Sequence, residues 1–111
     1  MDIQLIITNL PNREIALALA NRLVESRLAA CVNVMAPCTS VYTWQEKLET
    51  TEEIPLLIKA LKQNYGTIEN EIRKLHTYEL PEIIAVSIDN GLPEYLNWID
   101  AVSSKTNPLP T

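Results

Sequence analysis

The chain has 111 residues, of which 47% are apolar and 21% charged, and it carries a formal net charge of −5. That length supports one hydrophobic core, and the absence of any Lys/Arg cluster excludes the electrostatic footprint of a nucleic-acid or anionic-membrane binder. The opening MDIQLIITNL carries an acid and breaks at Pro11, so it reads neither as a signal peptide nor as the ~20-residue apolar span a bilayer requires; a cytoplasmic location is the expectation.

Ile3 to Thr8 (IQLIIT) has the continuous Ile/Leu content of a strand covered on both faces, and Asn9-Leu10-Pro11-Asn12 reads as the turn that ends it. From Arg13 to Arg27 the spacing of Ile15, Leu19 and Leu23 predicts an amphipathic helix, with Asn12 as its cap and Glu14 at the positive end of its dipole. LAACVNVMA (28–36) predicts a second strand ending at Pro37. Beyond it Ser40, Tyr42 and Trp44 alternate with Val41, Thr43 and Gln45, a charged turn follows, and Ile54 to Leu61 returns, which makes a long-armed hairpin. Pro55 cannot donate to a ladder, so an edge, a bulge or the strand's outer end is its expected place.

Tyr65, Ile68, Ile72 and Leu75 predict a second helix that stops near His76, the only histidine. EIIAVSI (82–88) is a further strand, and GLPEYLNWIDAV (91–102) a short last helix with Pro93 in its first turn. The order β-α-β-β-α-β plus a terminal helix defines an α+β, ferredoxin-like plait. It is expected to occupy residues 1–103 as a single domain, with 104–111 as a flexible tail.

Lengths argue for self-association. A ~15-residue helix covers ~22 Å, whereas a ~12-residue extended arm reaches ~40 Å. The hairpin therefore overhangs its helix layer and carries Tyr42 and Trp44 with it, to be covered by neighbouring copies in a cyclic trimer. The alternative is a twisted, solvated hairpin.

LAACVNV at 28–34, SVYTWQEKLE at 40–49, EE at 52–53, LLIKA at 56–60, HTYELPEIIAVSI at 76–88 and YLNWI at 95–99 together resemble the CutA divalent-cation tolerance family. The resemblance implies a cytoplasmic, PII-like ferredoxin-fold homotrimer linked to tolerance of copper and other divalent metals, without catalysis. Some members have a cysteine at the end of the first strand, proposed as a copper ligand, where this chain has Thr8. It also has Pro37-Cys38 for a frequent Pro-Gly, Trp44-Gln45-Glu46 for Trp-x-Gly, and His76-Thr77-Tyr78 for His-Pro-Tyr, so those turns must be built differently.

Cys31 and His76 match positions proposed as metal ligands in the family, and thiolate with imidazole suits copper or zinc. Cys38, Glu79, Glu82 or a neighbouring subunit would have to complete the set. Against this, Cys31 reads as a small apolar residue in a buried strand, Cys38 as an exposed thiol beside a turn, and His76 as a helix C-terminal imidazole. An alternative function is a PII-like module whose intersubunit cleft, with Lys59, Tyr78, Glu79 and Glu82, binds a small effector or a protein. Tyr42, Trp44 and Trp98 read as interface and core residues, and Glu46, Glu49, Glu52 and Glu53 as a solvated hairpin tip able at most to bind hard cations weakly. An acylphosphatase-like enzyme would need a phosphate-cradling loop, which NLPNRE lacks. An RNA-recognition plait would need stacking aromatics and a basic balance, and this acidic chain has no phenylalanine.

Overall fold

β1 (Ile3–Leu10) is the central strand the Ile/Leu run dictates, flanked by β4 (Lys47–Leu61) and β5 (Ile83–Ser87), both antiparallel to it. The computed structural model describes residues 2–105 and 107–109, so Met1 of the expected domain and Thr106, Pro110 and Thr111 of the expected tail lie outside the described residues. β2 (Cys31–Val34) pairs with the inner part of β4, and β3 (Cys38–Trp44) with its outer part. The order β2-β4-β1-β5 is that of the ferredoxin-like plait, with its second strand divided at Met35-Ala36-Pro37.

α1 (Arg13–Glu25) begins where expected: the Asn12 side chain accepts the Ile15 N–H at 2.9 Å, satisfying one of the free amides of the first turn. It ends before Arg27, whose φ of 63° leaves the right-handed helical region. α2 (Tyr65–Leu75) follows a short 3-10 turn, Lys62–Asn64, and stops at His76, whose N–H closes the last turn on the Ile72 carbonyl. α3 (Pro93–Ser103) starts with Pro93, which has no amide hydrogen to leave unpaired.

Side chains alternate across a strand, and the register assigns the two faces. Leu56 and Ile58 of β4, Ile6 and Leu10 of β1, Leu19 and Leu23 of α1, and Ile68 and Ile72 of α2 are fully buried in one core between sheet and helices. Each such side chain contributes about 1.5–3 kcal/mol relative to leaving it in water. On the opposite face α3 covers one end, packing Ile99 on Ile3 and Leu61. The rest of that face is apolar and uncovered: Leu5, Ile7 and Leu57 are half-buried, and Ile84 and Val86 are 52% and 50% exposed.

Three expectations are corrected, and the place of Pro55 is narrowed to one of those expected. β1 continues through Asn9 and Leu10, which pair with Pro55 and Ile54, so the turn is confined to Pro11 and Asn12. The charged stretch is strand: the reversal takes only Gln45 and Glu46, at φ 50° and 67°, and β4 runs unbroken for 15 residues from Lys47. Pro55 lies inside β4, away from the sheet edge and the strand end but beside a bulge, one of the places expected of it: Val34 faces Leu56 and Cys38 faces Glu53, so three residues oppose two. The Pro55 carbonyl accepts the Met35 N–H, and because a residue's N and C=O point to the same side of a strand, its missing donor faces the gap where β4 changes partner from β2 to β3. Trp98 is not a core residue; it is 44% exposed and stacks on Tyr95 at 5.6 Å. In the described part of the expected tail, the Asn107 backbone and side chain donate to the Ser26 and Glu25 carbonyls at the end of α1, and Leu109 packs against the core.

Candidate functional site

The loop from His76 to Glu82 joins α2 to β5 and is tied to the end of β1. His76 Nε2 donates to the Asn9 carbonyl at 2.6 Å, while Nδ1 accepts the Tyr78 N–H at 3.2 Å. Both ring nitrogens are therefore engaged with backbone. The imidazole does bond a carbonyl, as a helix-end histidine should, but that carbonyl belongs to a strand 67 positions away and not to its own helix. Asn9 secures the other end of the loop through Nδ2 to Glu82 Oε1, at 3.2 Å. The His76 ring lies 4.5 Å from that of Tyr78, which holds the phenol in place.

Between this loop and the β3–β4 ribbon runs a groove of about 520 Å³. β3 supplies Ser40, Val41, Tyr42 and Trp44; β4 supplies Glu53; the loop supplies Tyr78, Glu79, Leu80 and Glu82. The register puts Glu53 opposite Cys38, and Tyr42 donates to or accepts from Thr51 Oγ1 at 3.0 Å. Tyr78 hydrogen-bonds the Glu53 carboxylate, and its phenol is raised above its ordinary value, first by burial and then by the negative charge of Glu53 and the bond to it. The phenol is thus kept protonated and donating. Chemically, the groove offers carboxylates, one of them buried, set among three aromatic rings.

Of the expected effector residues, Tyr78, Glu79 and Glu82 converge here, with the expected interface residues Tyr42 and Trp44. Lys59 does not. It lies under α3, with Nζ 5.7 Å from the Tyr95 ring centre, and six positions along β4 from Glu53 amount to ~20 Å. The same ruler separates the two thiols: Cys31 sits opposite Lys59 and Cys38 opposite Glu53, so within one chain they cannot share an ion. Both cysteines are free and half-buried, and Cys38 Sγ is 3.8 Å from Ser40 Oγ. Among the described residues no group of three or more His, Cys, Asp or Glu side chains is placed to hold a metal. Thr8 points into the helix-side core at 0% exposure, while the register places Cys31 on the other face, so the Thr8 position and Cys31 do not meet either.

Glu53, which lines the groove, and Asn9, which ties down the loop beside it, have roles that the sequence alone did not indicate. Carrying the alternation of Ile54, Leu56 and Ile58 one residue back would have set Glu53 on the face opposite the core, away from the solvated tip. Asn9 was hidden by the turn assigned to it.

The chain's likenesses to known proteins agree with this architecture. The sequence profile of the CutA1 divalent ion tolerance protein matches residues 4–102. The divalent-cation tolerance protein CutA of Thermus thermophilus is 38% identical over 96 residues, covering 86% of this chain and 93% of that protein. The crystal structure of CutA from Xylella fastidiosa superposes with a TM-score of 0.88 at 43% identity, covering 93% of this chain and 99% of that one. The divalent cation tolerance protein CutA of Archaeoglobus fulgidus, described as periplasmic, superposes with a TM-score of 0.87 at 35% identity over 91% of this chain and 98% of its own. With a profile match spanning nearly the whole plait and relatives aligned across it, this chain belongs to the CutA1 divalent ion tolerance family.

Proposed function

We propose that the chain works as a non-catalytic, cytoplasmic homotrimer in the response to divalent metal ions, taking up copper or a similar cation through Cys31, Cys38 and His76 of adjoining copies. The observation that carries this reading is the uncovered apolar pleat of Leu5, Ile7, Leu57, Ile84 and Val86. An exposed apolar surface of this kind favours coverage by protein, and a cyclic arrangement closes without leaving a free edge. Since one chain brings no three donors together among its described residues, a second copy is the natural source of the missing ligands. His76 joins such a set only by releasing the Tyr78 N–H at Nδ1, the longer of its two bonds. Among the described residues no helix is long and apolar enough to cross a membrane. Cell fractionation decides between cytoplasm and the periplasm named for the Archaeoglobus relative.

Copper titration of the reduced protein tests the metal reading. Cys31→Ser and Cys38→Ser are each expected to lower the copper bound per chain. Unchanged stoichiometry in both of these and in His76→Ala removes the site. A second reading, a PII-like effector module, is favoured by the groove itself, whose volume and mixed lining suit a small molecule. Thermal shift in a metal-free ligand screen supports it, because selective binding raises Tm; shifts with metals alone count against it.

A further inference from the structure

We infer that the groove between the β3–β4 ribbon and the His76–Glu82 loop takes a small organic cation, an ammonium or guanidinium group on an apolar body, with Glu53 as its counter-ion. The inference rests on the effector reading of this groove and names the ligand class. Glu53 is only 7% exposed, and the ion pairs among the described residues are those of Glu71, so the Glu53 carboxylate has the neutral Tyr78 phenol for a partner and no cation. A buried carboxylate without a counter-charge is costly, and a ligand that brings one removes the cost. The groove that Glu53 lines also holds the rings of Tyr42, Trp44 and Tyr78. Ring faces attract ammonium and guanidinium groups, while Val41 and Leu80 give an apolar body a surface to lie on. A bare metal ion fits this lining poorly, since no three ligating side chains converge among the described residues. Anions meet Glu53, Glu79 and Glu82.

The test is calorimetric titration with phenethylammonium, set against the neutral 2-phenylethanol and the anionic 3-phenylpropionate. NMR of the Trp44 indole and Tyr78 amide reports where each probe sits. The ammonium alone is expected to bind and to move both signals. Glu53→Gln is expected to weaken it about tenfold or more, the loss of a charge-assisted contact. Trp44→Leu, at a half-buried position on the ribbon, provides an independent variant should Glu53→Gln fold poorly, and it should weaken binding severalfold through loss of one ring. Equal binding of the neutral alcohol overturns the ligand class while leaving the effector groove standing. Absence of any shift at Trp44 and Tyr78 with all three probes overturns the inference and the groove reading together. If Glu53→Gln instead lowers the molecular mass in solution and no probe binds, the missing cation comes from a second copy and the inference is wrong.

Discussion

Glu71 is the most enclosed charge of the described residues, at 2% exposure between α1 and α2, with Arg22 on one carboxylate oxygen and Lys74 on the other. Burial pushes its carboxyl upward, but the bonds and charges of Lys74 and Arg22 outweigh burial and hold it below the ordinary value of 4.5. A folded-state value lower than the unfolded one gives stability that is present above the ordinary carboxylate range and lost as pH falls through the folded value. Glu71→Gln is therefore expected to cost roughly 2 kcal/mol at neutral pH, since charge-assisted hydrogen bonds are lost while Arg22 and Lys74 can still reach water. In urea unfolding its deficit relative to the unaltered chain should shrink as the solution is acidified below that range. Thr8 shows the opposite case: its buried hydroxyl has no hydrogen-bond partner among the described residues. Thr8→Val is expected to raise stability by about 1 kcal/mol, read as a higher Tm, because it removes an unpaired polar group at nearly constant shape. Neither role was legible in the sequence. Glu71 lies on the polar side of a simple helical spacing and is buried only because a second helix packs there, and Thr8 closes an apolar run that says nothing of its hydroxyl. Cys31, Cys38 and His76 were found as residue types, but their separation depends on which β4 residue each faces.

At the scale of elements, helices were the easiest to read, because period, cap and stop signals coincide: Asn12 caps α1, His76 closes α2 and Pro93 opens α3. The hairpin was harder. The family's glycine is absent, and Gln45 and Glu46 adopt the left-handed region without it, so the turn leaves no composition signal. Two-residue turns with positive φ at both positions favour Asn-Gly. The double change Gln45→Asn, Glu46→Gly is expected to stabilise the chain by about 1 kcal/mol, since left-handed backbone is strained for other residues. Chemical denaturation measures it, and no gain would mean the turn is held by something other than its own two residues. Pro55 did leave a signal: a residue with no amide hydrogen belongs where the ladder is interrupted, and β4 changes its neighbour beside it.

At the scale of the whole molecule, the plait followed from element order, and the expectation of self-association followed from strand length. The structure adds a different argument for the latter, the bare pleat beside α3. Ile84→Glu is expected to reduce the mass measured by light scattering from three times that of the chain to that of one, leaving the helix-side core, and hence the far-ultraviolet circular dichroism, intact. A single-chain mass before any substitution would end the trimer proposal. Period-2 alternation along β4 puts Glu53, Leu57 and Lys59 on one side of the same strand, so the groove wall and the bare pleat are stretches of one continuous surface. Were copies to join over that surface and a guest to enter the groove, the two events would be linked reciprocally: by whatever factor the guest tightened or loosened the union of copies, that union would tighten or loosen the hold on the guest.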